Sequence, residues 1–128
     1  MSAVILVVED DLASLELATY LLKHAGHEVH RAEDGKQGLQ VARNLQPSAD
    51  LILSDIQMPI MDGYQLLAEL RKDASYSDIP IVAITAFSMR GDEQKILASG
   101  FNGYISKPID PEQFVSHVEH WLPANLQS

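Results

Sequence analysis

The chain contains four short apolar runs, each followed directly by a polar side chain that could take part in chemistry. In chain order these side chains are the pair Glu9 and Asp10, then Asp55, Thr85 and Lys107. If the runs are parallel strands of one sheet, all of these groups lie at its carboxyl edge, where open α/β sheets bind ligands. Acids, a hydroxyl and an ammonium at one edge indicate a site for a divalent cation and a phosphoryl group.

The acids suggest the chemistry of that site. Glu9, Asp10 and Asp55 would bring three carboxylates together, and these repel one another unless a cation neutralises them. Mg²⁺ prefers oxygen ligands and commonly binds one or two carboxylates. A carboxylate beside such an ion can attack a phosphoryl donor, and Asp55 is the best placed because it ends a buried strand. Lys107 offers positive charge to the phosphoryl oxygens, and Thr85 and the N–H that follows it offer hydrogen bonds.

Composition excludes several other classes of protein. The chain has 128 residues, 46% of them apolar, which suits one domain over 1–128 with a core at about 3–122 and a tail at 123–128. A net charge of -9 argues against nucleic-acid binding, which requires Lys and Arg to neutralise phosphates. No apolar stretch has membrane-spanning length. The absence of cysteine fits a cytoplasmic protein. We therefore expect protein partners, with no nucleic acid and no membrane.

Strand-like and helix-like segments alternate five times along the chain. The second strand is poorly apolar and is therefore predicted at an edge of the sheet. Five units are too few for a barrel, which needs about eight, so the pattern favours a doubly wound parallel sheet between two layers of helices. The predicted strands are 4–8, 27–31, 51–54, 81–84 and 104–106, and the predicted helices are 12–25, 35–46, 63–72, 90–99 and 111–122, the last with Asp110 as its N-cap.

The order and spacing of these motifs resemble the receiver domains of two-component response regulators over 4–122. The resemblance is strongest for stand-alone receivers of the DivK type and for the receivers of hybrid kinases. It implies an α/β, flavodoxin-like fold in which a five-stranded parallel sheet of order 2-1-3-4-5 is flanked by five helices. The motifs that carry it are Glu9-Asp10, Asp55-Ile56-Gln57-Met58-Pro59, Asp62-Gly63, Thr85-Ala86 and Lys107-Pro108.

The resemblance also implies roles for the residues that hold the metal and the phosphoryl group. Asp55 would be the phosphoacceptor and a ligand of Mg²⁺, the implied cofactor. Asp10 would bind Mg²⁺ directly, Glu9 would contact it through water, and Gln57 would supply a backbone carbonyl. The Lys107–Pro108 bond would be cis, a state that proline permits.

The remaining implied roles concern phosphate binding and signalling. Thr85, Ala86 and Lys107 would contact the phosphoryl group, and Thr85 with Tyr104 would form the switch. The donor would be a histidine kinase or a histidine phosphotransfer protein. A downstream target would bind the face formed by helix 4, strand 5 and helix 5. Such a domain is a binding module that catalyses only its own phosphorylation and dephosphorylation.

Two other classes of protein use residues of this kind. A phosphatase of the haloacid-dehalogenase type also uses an Asp nucleophile, but it needs an acid two residues later, where this chain has Gln57, and a cap insertion. A nucleotide- or flavin-binding domain needs a glycine-rich loop after the first strand. Here Glu9, Asp10 and Asp11 would repel a phosphate at that position.

Two further predictions concern residues near the site and along the helices. Gln57 and Phe87 would flank the path of a hydrolytic water, and exclusion by the Phe87 ring would give a long-lived phosphorylated form. The histidines are not predicted to be metal ligands. In particular, His117 and His120 fall on the solvent side of the last helix.

Overall fold

Five parallel strands form one sheet in a computed structural model that describes residues 2–86 and 91–127. The strands are β1 Val4–Val8, β2 Glu28–Ala32, β3 Leu51–Asp55, β4 Ile81–Thr85 and β5 Gly103–Ser106. Their order across the sheet is β2-β1-β3-β4-β5, so the predicted fold class and strand order are confirmed. The helices are α1 Leu12–His24, α2 Gly35–Asn44, α3 Gly63–Arg71, α4 Asp92–Ala98 and α5 Phe114–Glu119, and short 3-10 turns span Ala74–Tyr76 and Ala124–Leu126.

Successive side chains of the central strands alternate between two hydrophobic cores, one on each face of the sheet. Leu6 and Ile52 pack with α2, α3 and α4 on one face of the sheet. Ile5 and Leu53 pack with α1 and α5 on the other face. Side chains alternate across a strand, so strands that are apolar throughout must be covered on both faces. Both cores are continuous along β1 and β3, which fixes the carboxyl ends of these central strands relative to each other.

Aspartates begin the helices that lie beside the carboxyl edge. The side chain of Asp11 accepts a hydrogen bond from the Ser14 N–H at 3.1 Å. Asp62 accepts from the Gln65 N–H at 2.8 Å, while the Gln65 side chain accepts from the Asp62 N–H, which completes a capping box. Asp11 and Asp62 therefore cap helices and are not among the clustered acids of the predicted site.

The last helix differs from the prediction. It was expected to begin at the Asp110 cap, with Pro111 in its first turn, and to continue to 122, but α5 runs only from Phe114 to Glu119. The Asp110 side chain accepts from the Glu112 N–H at 3.0 Å, as a cap would, but 111–113 form turns and the regular helix begins only at Phe114. The sequence predicts a buried stripe of Phe114, Val118, Trp121 and Leu122; three of these are buried and Trp121 is half-buried.

A buried hydrogen bond joins His27, just before β2, to α5, a contact that the sequence did not indicate. His27 Nε2 lies 2.6 Å from Glu119 Oε2, and the His27 side chain is fully buried. His27 Nδ1 accepts the Ala3 N–H at 3.0 Å, so Nε2 carries the proton and donates to the carboxylate. His117 and His120 are exposed, as predicted.

Part of the predicted tail packs on the domain. Leu126 contacts the core beneath α1 and α5, and the Gln127 side chain donates to the carbonyl oxygens of Glu119 and Leu122. The Lys107–Pro108 bond is cis, as the resemblance implies, and so is Gln46–Pro47. Within 2–86 and 91–127, no helix has both the length and the apolar character that a membrane span requires.

Candidate phosphorylation and metal site

The strands deliver all four predicted groups to the carboxyl edge of the sheet. Glu9 follows β1 directly, and its N–H bonds to the Ala32 carbonyl of the neighbouring strand at 3.0 Å. Asp55 and Thr85 are the last residues of β3 and β4. Lys107 follows β5 and is held to β4 by a bond from its N–H to the Thr85 carbonyl at 2.8 Å. Regular ladder hydrogen bonds therefore set the spacing of the functional groups.

Three carboxylates converge between the central strands. One carboxylate oxygen from each of Glu9, Asp10 and Asp55 lies within 4.8 Å of the others. Glu9 is 1% exposed and Asp55 is 7% exposed, whereas Asp10 faces solvent. Burial strengthens their mutual repulsion. These three carboxylates could bind an oxygen-preferring cation, which would enter from the solvent-exposed side at Asp10.

Lys107 is the counter-charge of the buried acids. Its Nζ lies 2.6 Å from Glu9 Oε1 and 3.2 Å from Asp55 Oδ2. The approach to Glu9 Oε1 falls outside usual hydrogen-bond angles, so the contact is an ion pair. Burial alone would lower the pKa of Lys107, but the contacts with Glu9 and Asp55 raise it above the usual value. Lys107 is therefore a permanent cation at this edge.

Glu9 is the most perturbed acid of the site. Burial, followed by its hydrogen bond with Asp55, raises the pKa of Glu9 to about 7. Contact with Lys107 and the bond from the Asp11 N–H, at 3.1 Å to Glu9 Oε2, act in the opposite direction. With its pKa near 7, the Glu9 carboxyl keeps a proton over much of the range below neutral pH when no cation is bound.

The Asp55 side chain is held at both oxygens. Oδ1 accepts from the Ile56 N–H at 2.7 Å, and Oδ2 accepts from Lys107 Nζ. The backbone of Asp55 and Ile56 packs against Gly63, whose N–H donates a hydrogen bond to the Ile56 carbonyl at 2.8 Å. A Cβ at Gly63 would lie 2.4 Å from the Asp55 carbonyl oxygen. The sequence showed Gly63 only as part of a motif, and its packing role was missed.

A groove runs from the acids toward α4. It has a volume of about 520 Å³, and Asp10 and Gln57 form the end nearest the acids. At the other end Tyr64 packs edge-on against Phe101, and Lys95 Nζ lies 5.1 Å from the centre of the Tyr64 ring. The groove gives solvent and ligands access to the Asp10 side of the site. Neither Tyr64 nor Lys95 was singled out from the sequence.

The two predicted switch residues lie on neighbouring strands. Thr85 is 2% exposed, while Ala86 after it is exposed. Tyr104 pairs with Ala83 in the β4–β5 ladder and packs partly against the core under α4. A hydrogen bond to Glu93 of α4, and then burial, raises the pKa of Tyr104. Phe87, which was predicted to exclude water, lies outside the described residues.

Comparisons with known proteins agree with this geometry. The response regulator receiver domain family matches residues 5–119. The polar-differentiation response regulator DivK of Brucella ovis is 37% identical, over 95% of this chain and 98% of that protein. The chemotaxis response regulator CheY4 of Vibrio cholerae has a TM-score of 0.88 at 30% identity, over 95% of this chain and all of the solved one.

A second solved structure bears on the metal. The receiver domain of a sensor histidine kinase from Pseudomonas aeruginosa, 30% identical with a TM-score of 0.83, covers 94% of this chain and 98% of its own, and was solved with a magnesium ion coordinated in its active-site cleft. These relatives are signalling proteins and give no support to the phosphatase alternative. The chain belongs to the response regulator receiver domain family.

Proposed function

We propose that this chain is a phosphorylation-dependent switch in which Asp55 accepts a phosphoryl group from the phosphohistidine of a kinase or phosphotransfer protein. The observation that carries the proposal is the placement of Asp55 Oδ2, which lies 3.2 Å from Lys107 Nζ and beside two further acids. The Ile56 N–H fixes the other oxygen at 2.7 Å. Asp55 therefore presents one oriented oxygen to a donor.

The transfer is a single displacement at phosphorus. An Asp55 oxygen forms a bond to phosphorus as the P–N bond of the donor breaks, and the electron pair of that bond stays on nitrogen. With its other nitrogen protonated, the donor ring leaves as neutral imidazole, so no further proton is needed. The product is an acyl phosphate on Asp55.

Glu9, Asp10, Asp55 and the backbone carbonyl of Gln57 would hold Mg²⁺. The donor set fits, because carboxylate oxygens of the three acids lie within 4.8 Å of one another and Asp10 is open to solvent. When bound, the ion would neutralise negative charge on the phosphoryl oxygens. Glu9, whose pKa is raised to about 7, would lose its proton when the cation binds beside it.

Lys107, Thr85 and Ala86 would bind the phosphoryl oxygens. Lys107 Nζ already lies beside the oxygen of Asp55 that would carry the group. The Thr85 hydroxyl and the Ala86 N–H come from the adjacent strand end, so their approach needs only local movement. Charge-assisted hydrogen bonds of this kind are stronger than neutral ones.

Movement of Thr85 toward the phosphoryl group would be coupled to Tyr104 and read out on the face of α4, β5 and α5. Tyr104 lies partly buried under α4 with Glu93 at its hydroxyl. Space left by Thr85 would let the ring move inward and away from Glu93, which is a two-state change in packing. Downstream protein targets would distinguish the two states of this face.

Residues 1–128 would form a single receiver domain, with a core at about 3–122, that catalyses only the gain and loss of its own phosphoryl group. The partners would be proteins, with no nucleic acid and no membrane. A cytoplasmic location stays a prediction.

Labelling with a small phosphodonor tests the proposal. The wild-type protein should gain one acid-stable, base-labile phosphoryl group from acetyl phosphate when Mg²⁺ is present and none with excess chelator. Asp55→Asn should abolish the gain, whereas Asp78→Asn, an exposed acid after the third helix, should leave it unchanged. Labelling of Asp55→Asn at the wild-type rate would refute the proposal.

A further inference from the structure

A cavity opens at the amino edge of the sheet, on the opposite side of the domain from the carboxyl edge that holds Asp55. Its volume of about 570 Å³ is in the range of sites that bind small molecules. Asp50, directly before β3, lines it from the sheet. Ile79 belongs to the core on one face of the sheet, whereas Trp121 and Leu126 belong to the core on the other face. The cavity therefore lies where the two helical layers separate.

The two walls of the cavity are held in place by hydrogen bonds from side chains behind them. Arg71 Nη1 donates to the carbonyl oxygens of Tyr76 and Ile79, both at 2.8 Å, and so fixes the loop before β4. The Gln127 side chain donates to the Leu122 carbonyl at 3.1 Å and so fixes the segment after α5. A site whose walls are already ordered loses little conformational entropy when a ligand binds.

Trp121 gives the cavity an aromatic wall. Its indole packs against the backbone of Gly103 in β5, where any Cβ would overlap the ring. The His120 ring lies nearly perpendicular to the indole, with 5.4 Å between the ring centres. These contacts fix the position of the indole, which is half-buried. Among aromatic side chains, tryptophan attracts cations most strongly, and its flat face also stacks on other planar groups.

The charges that line the cavity are negative. Asp50 and Asp78 both contribute to its surface, and none of the lining residues that the structure describes is basic. Asp50 Oδ2 accepts the Val4 N–H at 2.7 Å, which fixes the carboxylate, and within 2–86 and 91–127 Asp50 forms no ion pair. Asp78 interacts electrostatically with Arg71, so its charge is partly balanced. Asp50 is therefore the main charge that a ligand would meet.

We propose that this cavity binds a small organic cation that has a flat apolar group, such as an aromatic amidine or amine. The cationic group pairs with Asp50, and the flat group lies between Trp121 and the apolar wall at Ile79. An anion would be repelled by both acids, and an inorganic cation would leave the apolar walls in contact with water. The site is independent of the proposed phosphorylation, since Asp50 and Asp55 stand at opposite ends of β3, roughly 16 Å apart in an extended strand.

An NMR titration with benzamidine tests the proposal. Trp121 is the only tryptophan of the chain, so its indole N–H gives one resonance that reports on the cavity. Benzamidine should shift this resonance, and the amides of 74–80 and 121–126, in a saturable way. Benzamide, a neutral molecule of the same shape, should bind at least tenfold more weakly, and benzoate should not bind.

Two variants with the same change of charge locate the contact. Asp50→Asn keeps an oxygen that can accept the Val4 N–H but removes the charge. It should weaken benzamidine binding at least tenfold, as expected for the loss of one charge-assisted hydrogen bond. Glu112→Gln, at an exposed acid before α5, should leave the affinity within twofold of the wild type.

Three results would overturn the proposal. The first is a benzamidine titration that does not saturate, or equal affinity of the wild type for benzamidine and benzamide, a comparison that stands even if Asp50→Asn fails to fold. The second is a folded Asp50→Asn protein that binds benzamidine as the wild type does. The third is an arginine tripeptide with blocked ends that binds at least tenfold more tightly than benzamidine, since the cavity would then receive the side chain of a partner protein instead of a small molecule.

Discussion

Lys107 lies closer to Glu9 than to Asp55: its Nζ is 2.6 Å from Glu9 Oε1 and 3.2 Å from Asp55 Oδ2. The lysine that is proposed to bind the phosphoryl group is thus paired mainly with an acid that is proposed to serve the metal. A cation that drew Glu9 away would leave Lys107 free to move toward Asp55. Under the proposed function, metal binding and phosphate binding would therefore be coupled through this one ammonium group.

Mg²⁺ should stabilise the folded protein. The ion would relieve repulsion among Glu9, Asp10 and Asp55 and would bind only the folded state, so at one hundred times its dissociation constant it adds about 2.7 kcal/mol. Thermal melts with and without Mg²⁺ measure the shift. Asp10→Asn should keep the ion-free stability, or increase it, and lose most of the shift. The same shift in wild type and variant would argue against Asp10 as a ligand.

The stability of the ion-free protein should fall between pH 4.5 and about 7. The pKa of Glu9 is raised from 4.5 to about 7, because of burial and its bond to Asp55, so the folded state keeps a proton that the unfolded state releases. Stability decreases with pH wherever the folded state binds more protons. The loss should be on the order of 2 kcal/mol over this window.

Denaturant unfolding in chelator at several pH values checks this dependence. Glu9→Gln should flatten the profile across the window, since the amide does not titrate. Glu112→Gln, at an exposed acid, should leave the profile as in the wild type. A wild-type profile that rises with pH through this range would contradict the assignment to Glu9.

Gly63→Ala should damage the site through the backbone. The added Cβ would lie 2.4 Å from the Asp55 carbonyl oxygen and 2.8 Å from Ile56 Cα, so the loop or α3 must move. We expect a loss of roughly 1–3 kcal/mol in unfolding free energy and slower phosphorylation by acetyl phosphate. Ala68→Gly on the exposed side of α3 is the control for helix propensity, and it should leave phosphorylation unchanged. A Gly63→Ala protein with normal stability and rate would exclude this packing role.

Phosphorylation should alter the face around Tyr104. Inward movement of the ring would separate its hydroxyl from Glu93, so amide exchange and NMR shifts should change across 91–106 when a phosphoryl mimic and Mg²⁺ are added. Tyr104→Ala should reduce the changes in α4 while leaving those beside Asp55. Changes confined to Asp55 and its loop in the wild type would place the output elsewhere.

The fold and the positions of most site residues could be predicted from the sequence, because both follow from the succession of short segments along the chain. Apolar runs fixed the strands, and each functional residue directly follows a strand, so Glu9, Asp10, Asp55, Thr85 and Lys107 could be placed without coordinates. The predicted start of α5 was wrong because an Asp-Pro pair can begin a turn as well as a helix.

Other features depend on contacts between distant parts of the chain and left no local signal. His27 and Glu119 are 92 positions apart, and nothing in either segment indicates a buried pair. The close approach of Gly63 to the Asp55 carbonyl and the positive φ of Ile60 are likewise properties of the folded loop. These are features that only tertiary structure can reveal.

Chemical identification of the modified residue tests the central claim most directly. Borohydride reduces an acyl phosphate to an alcohol, so protein treated with acetyl phosphate and Mg²⁺, then reduced and digested, should contain homoserine at position 55. The same treatment in chelator should leave aspartate there. Homoserine at position 10, 2-amino-5-hydroxypentanoate at position 9, or unmodified Asp55 in protein that carries the phosphoryl group would contradict Asp55 as the phosphoacceptor.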